Sequence, residues 1–112
     1  MATKYNWTTG PVSSGLTLEN ARVAVLNNST YNQKVLIRLY DLGVSPKKKV
    51  YTETMYVDPS ATVMANISVK EIELWEVQAI TFSKRVQILV GGGEGNTNPV
   101  VNTVLHSQLV RL

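Results

Sequence analysis

The feature that most constrains this chain is a succession of short segments in which apolar residues recur at every second position. A period of 2 turns one face of an extended strand toward a core, whereas an amphipathic helix needs a period of 3.6. Residues 34–42 alternate Val35, Ile37 and Leu39 with Leu36, Arg38 and Tyr40, and residues 61–69 alternate Val63, Ala65, Ile67 and Val69 with Thr62, Met64, Asn66 and Ser68. Weaker versions cover 21–26, 49–57, 74–82, 85–90 and 100–112. Within 74–82 both faces carry large apolar groups, so either Trp75, Val77 and Ala79 or Leu74, Ile80 and Phe82 could point inward. Turn formers punctuate the series at 27–30, 43–47 and 58–60, and the glycine-rich stretch 91–99 reads as a long loop. Composition agrees: 16 Val, 5 Ile and 11 Thr make 32 of the 112 residues, and stiff β-branched side chains favour pleated strands. The sequence predicts an all-β fold, an antiparallel β-sandwich or jelly roll of about seven to eight strands with an extended N-terminal arm.

A chain of 112 residues is one domain. Residues 1–15 read as a separate element. Tyr5 and Trp7 fall on one side of an extended segment, which the Gly10-Pro11 pair and Gly15 then break. Such an arm spans on the order of 50 Å at about 3.3 Å per residue, enough to cross a neighbouring domain. The expected organisation is an arm over 1–15 and a sandwich domain over 16–112, with Tyr5, Trp7, Thr9 and Val12 as docking residues and Gly10, Pro11 and Gly15 as hinges.

The residue inventory excludes much chemistry. Without cysteine there is no disulfide framework, thiolate nucleophile or thiolate zinc site, and the single histidine, His106, cannot build a histidine cage. Ser107 is its neighbour on an expected strand, so the two side chains point to opposite faces and form no catalytic pair. The run Gly91 to Gly95 lacks the Lys-Ser/Thr and the helix of a phosphate loop. Glu71, Glu73 and Glu76 read as a solvated acidic edge, and Asp41, Asp58 and Glu94 lack calcium-loop spacing. No catalytic residue, cofactor or metal is expected.

The net charge is +3 and the pI about 9.3, but Lys47, Lys48 and Lys49 follow Pro46 in a turn and no aromatic ladder accompanies them in sequence, so no nucleic-acid partner is expected. The first residues lack the apolar core of a signal peptide, and no run of 18 apolar residues occurs, so synthesis in a cytoplasm without membrane insertion is expected. Charged residues make up 17% of the chain, below the usual quarter, which suits a surface that packs against copies of itself. Tyr40, Tyr51, Tyr56 and Trp75 supply an alternative, an aromatic platform for polysaccharide or another surface ligand.

The segments VLIRLYDL (35–42), SPKK (45–48), VYTET (50–54) and, above all, VLHSQLVRL (104–112) resemble small β-sandwich proteins of spore-forming Gram-positive bacteria. More loosely, in size, strand number and N-terminal arm, the chain resembles the Ena-type endospore appendage subunits. That resemblance implies a jelly-roll subunit whose N-terminal connector docks on the next subunit of a fibre, on a spore or cell surface with an anchor protein as a further partner. Appendage connectors carry cross-linking cysteines and this chain has none, so any fibre here is expected to be held by strand addition and packing alone.

Overall fold

A computed structural model describes residues 4–13, 20–69, 72–93 and 109–112. Within them lie nine strands: β1 (Tyr5–Thr8), β2 (Val12–Ser13), β3 (Asn20–Asn27), β4 (Gln33–Asp41), β5 (Lys48–Val57), β6 (Thr62–Ser68), β7 (Leu74–Thr81), β8 (Val86–Gly93) and β9 (Val110–Arg111). They form two sheets in which every pairing is antiparallel. The larger runs β5-β4-β7-β1-β9, with β2 also paired to β7, and the smaller runs β6-β3-β8. The chain is an all-β sandwich, as its alternation predicts.

The core lies where the inward-facing positions of the two sheets meet. Val35, Ile37 and Leu39 of β4 and Trp75, Val77 and Ala79 of β7 face Val23 and Val25 of β3 and Val86, Ile88 and Val90 of β8, all buried. The open choice on the 74–82 strand is thereby settled in favour of the Trp75 face. Trp75 is the largest fully buried side chain. Deep apolar burial of this kind is the main favourable term in folding.

Two features differ from the sequence-based expectation. Gly91, Gly92 and Gly93 continue β8 opposite Arg22, Ala21 and Asn20 instead of opening a loop. Glycine weakens a strand but does not forbid one, and here β3 supplies an uninterrupted ladder for them to join. The second difference lies at the N-terminus, where residues 5–8 and 12–13 are strands of the larger sheet. Of the expected strand over 100–112, only β9 falls within the described residues.

Asn27, fully buried at the end of β3, joins the layers. Its Nδ2 donates to the carbonyls of Tyr31 (2.8 Å) and Val57 (2.9 Å), while its Oδ1 accepts from the Ser29 backbone N–H (2.9 Å). Its own backbone closes on the β5–β6 turn: its N–H donates to Ala61 (3.0 Å) and its carbonyl accepts from Ser60 (2.8 Å). One amide thus ties the smaller sheet to β5 of the larger. Asn27→Ala is expected to lower the unfolding free energy by about 2–3 kcal/mol in urea titration, since buried groups lose their partners, while Asn28→Ala at the exposed neighbour stays within about 0.5 kcal/mol.

Candidate functional site

The segment 4–13 is the part of the chain on which the sequence concentrates candidate residues, and the structure gives each described one a defined place. β1 lies antiparallel to β7, with Tyr5 opposite Thr81, Asn6 opposite Ile80, Trp7 opposite Ala79 and Thr8 opposite Gln78. Gly10 then adopts φ +68°, a left-handed conformation that glycine tolerates without a Cβ clash, and the chain re-enters the same lane as β2, with Val12 opposite Trp75. The strands β1 and β2 within the expected arm thus belong to the larger sheet. They fill the lane between β7 and β9, because β7 needs hydrogen-bond partners on the side away from β4.

Alternation places Tyr5 and Trp7 on the inner side of the sheet, beside the core. Trp7 Nε1 donates to the buried Thr81 hydroxyl at 3.2 Å. The Arg111 guanidinium of β9 sits 4.8 Å from the centre of the Tyr5 ring and 5.6 Å from that of Trp7, so both rings are covered from within their own chain. Thr9 works as a backbone substitute: its N–H donates to the Val77 carbonyl (3.0 Å), its hydroxyl accepts from the Val77 N–H (3.1 Å) and donates to the Gly10 carbonyl (2.8 Å). Val12 is buried in the core cluster and Pro11 is exposed. Gly15 lies outside the described residues.

A polar clasp closes over the outer side of β1. The Thr8 hydroxyl donates to Glu76 Oε2 and accepts from the Gly10 N–H (3.0 Å). Lys47 Nζ reaches Glu76 Oε1 at 2.7 Å and lies 4.9 Å from the centre of the Tyr40 ring, while Gln78 Nε2 donates to Oε2 at 3.3 Å. Glu76 is only 7% exposed. Burial pushes its carboxyl upward, but the hydrogen bonds from Lys47, Thr8 and Gln78, together with the Lys47 charge, outweigh that and hold it below the ordinary value. The clasp joins the N-terminal strand, the central strand β7 and the loop before β5.

Neither end of this clasp is marked in the sequence. Lys47 reads as a turn lysine and Glu76 as one of a solvated trio, and they lie 29 residues apart. The one local signal is that Glu76 stands between Trp75 and Val77 in mid-strand, where a carboxylate needs partners. The expected aromatic platform is not assembled: Trp75 is in the core, Tyr51 bonds Glu53 (2.6 Å) at the rim of the inner side, and Tyr40 and Tyr56 lie on the outer face. His106, Ser107, Glu71 and Glu94 lie outside the described residues. Among the described residues no three His, Cys, Asp or Glu side chains are grouped to hold a metal, and no helix is long and apolar enough to cross a membrane.

Because the Glu76 carboxyl is held below its unfolded value, it contributes stability above that value and loses it as pH falls through the lower, folded one. Wild type is therefore expected to weaken in urea titrations as pH falls below the ordinary carboxyl value of 4.5, and Glu76→Gln to show a flatter profile there. At pH 7, Thr8→Val is expected to cost about 1–2 kcal/mol through the bond to a charged acceptor. Lys47→Met costs less than about 1 kcal/mol, since that side chain is 44% exposed and screened by water.

No protein-family model matches the chain, and no curated protein matches it. Among solved structures, the crystal structure of Thermotoga maritima 1070 is similar over 100% of this chain and 93% of that one, with a TM-score of 0.56 and 10% sequence identity. At that identity the likeness shows a shared fold and nothing further.

Proposed function

We propose that the chain is a structural subunit that joins to copies of itself without covalent bonds, by placing its segment 4–13 in the lane beside β7 of a neighbour. The observation that carries this reading is the self-contained way the segment is held. Every strand pairing that fixes β1 and β2 is made to β7 or β9, and neither strand hydrogen-bonds to a strand adjacent to it in sequence. A second copy presents the same lane, so a donated segment recovers the Trp7–Thr81, Thr8–Glu76 and Thr9–Val77 bonds in identical geometry. Main-chain pairing of this kind is a known route to strand addition. A reciprocal exchange closes as a dimer, and a head-to-tail exchange continues as a filament. The resemblance in size and strand number to appendage subunits favours the filament, on a spore or cell surface. No catalytic role is assigned.

The absence of native cysteine allows a clean test. Asn6 and Ile80 are directly opposite across β1 and β7, within the range a disulfide can bridge. Asn6→Cys and Ile80→Cys are made as separate proteins, mixed at high concentration under assembly conditions and oxidised. Disulfide-linked heterodimers on a non-reducing gel, and a covalent ladder from the double variant, are the expected results. A double variant that closes only within single chains, from a sample that electron microscopy shows to contain filaments, would exclude exchange of this strand.

A further inference from the structure

The outer face of the larger sheet carries a second surface, one that depends on neither the buried side of β1 nor strand exchange. The registers set its rows: Lys34 of β4 beside Tyr56 of β5, then Leu36 beside Thr54, Arg38 beside Thr52, and Tyr40 beside Lys49. At about 3.3 Å per residue, the track from Lys34 to Tyr40 is on the order of 20 Å long. Each end thus pairs a lysine with a tyrosine across two strands, and an arginine stands between them. Tyr56 is 71% exposed. The Tyr40 ring is already covered by Lys47, so Tyr56 is the open aromatic surface of the track.

Charge on this face is one-sided. Lys34, Arg38 and Lys49 make no ion pair among the described residues, and Arg38 Nε is buried without a hydrogen-bond partner. Across the paired strands β5, β4, β7 and β1, Glu76 is the one carboxylate turned to this face, and Lys47 already neutralises it. Glu53 of β5 is opposite Ile37 and so belongs to the inner side. Three uncompensated cations in a line, with a flat exposed ring at one end, match a polymer that offers regularly spaced anions and faces that stack.

We propose that this track binds single-stranded nucleic acid, with Lys34, Arg38 and Lys49 on phosphates spaced along one strand and Tyr56 stacked on a base. The lysine run 47–49 is accompanied by no aromatic ladder in the linear sequence. The aromatics come from strand pairing, which brings Lys49 beside Tyr40 and Lys34 beside Tyr56 from positions far apart in the chain. Stacking on exposed rings, combined with a cationic track, is how sheet surfaces hold single strands without reading sequence, and a track this short suits a site near the low end of the range, about 4 nucleotides.

The test is fluorescence anisotropy with a labelled oligothymidylate of about 12 nucleotides, titrated between about 50 and 200 mM salt. Three phosphate contacts predict a slope of log K against log salt near −2, at about −0.7 per contact on a single strand. Lys34→Gln and Arg38→Gln are each expected to make the slope shallower by about 0.7. Tyr56→Ala is expected to weaken binding about tenfold with the slope unchanged. Lys34 and Tyr56 are both exposed, so Lys34→Gln and Tyr56→Ala keep the fold, and Arg38→Gln, at a half-buried position, is compared only after its urea midpoint is shown to match wild type. The proposal is overturned by absence of binding at the lowest salt. It is equally overturned if inorganic polyphosphate, which has no bases, competes as well as the oligonucleotide while Tyr56→Ala changes nothing; the face would then take a base-free polyanion such as an acidic polysaccharide.

Discussion

The backbone of β7 needs partners on both sides, and much of the larger sheet is arranged to supply them. Its inner face carries Trp75, Val77 and Ala79 into the core, so β7 is buried too deeply for water to satisfy its amides and carbonyls. β4 fills one side through the pairs from Leu36 opposite Ile80 to Asp41 opposite Trp75. The other side falls to the first residues of the chain, in two pieces. Gly10 turns the segment out of the lane with a left-handed φ, and Thr9 spans the gap by offering its hydroxyl where a strand would offer a carbonyl. Glu76 is buried for the same reason: it lies on the central strand, under Thr8 and Lys47.

The edges of the larger sheet are handled differently. At β9, among the described residues, Val110 and Arg111 pair with β1, and Leu112 adds one further bond to Asn6. At β5 the edge is long, but a register irregularity at Leu39/Tyr40 distorts it, and Glu53 occupies a position whose side chain falls on the inner side. An inward charge and a bulge both discourage another strand from adding there. The hydrogen bond from Tyr51 to Glu53, then burial and the Glu53 charge, push the Tyr51 hydroxyl up to about 12, so it remains a donor throughout the physiological range. In the proposed assembly the lane beside β7 is therefore a better joint between copies than the β5 edge.

Most of the scaffold was legible because alternation is a local signal. The strands between residues 20 and 90 fall close to where period 2 puts them, and the buried positions 35, 37, 39, 65 and 67 are one phase of that period. What local pattern cannot hold is which strands become neighbours. Tyr5 and Trp7 alternate correctly for a strand, yet only the open side of β7, some 70 residues away, turns them into sheet residues instead of a free arm. The same limit hid Lys47–Glu76 and the Lys34–Tyr56 pairing. Gly91 to Gly93 failed in the opposite sense: glycine is a loop signal by composition, and a full ladder on β3 overrides it.

In the proposed exchange the contacts inside one chain and between two chains are the same, so their strength does not choose between monomer and filament. Concentration does. A tethered segment meets its own lane at an effective concentration on the order of millimolar. A chain of 12.4 kDa reaches a millimolar only near roughly 12 mg/ml. Free subunits in dilute solution would thus keep the segment at home, and exchange would be favoured where copies are crowded or a first open lane is presented. The rate is set by opening, which must draw Val12 from the core and break the Thr8–Glu76 bond. Without cysteine no disulfide locks the proposed joint, so the barrier that delays assembly also delays its loss.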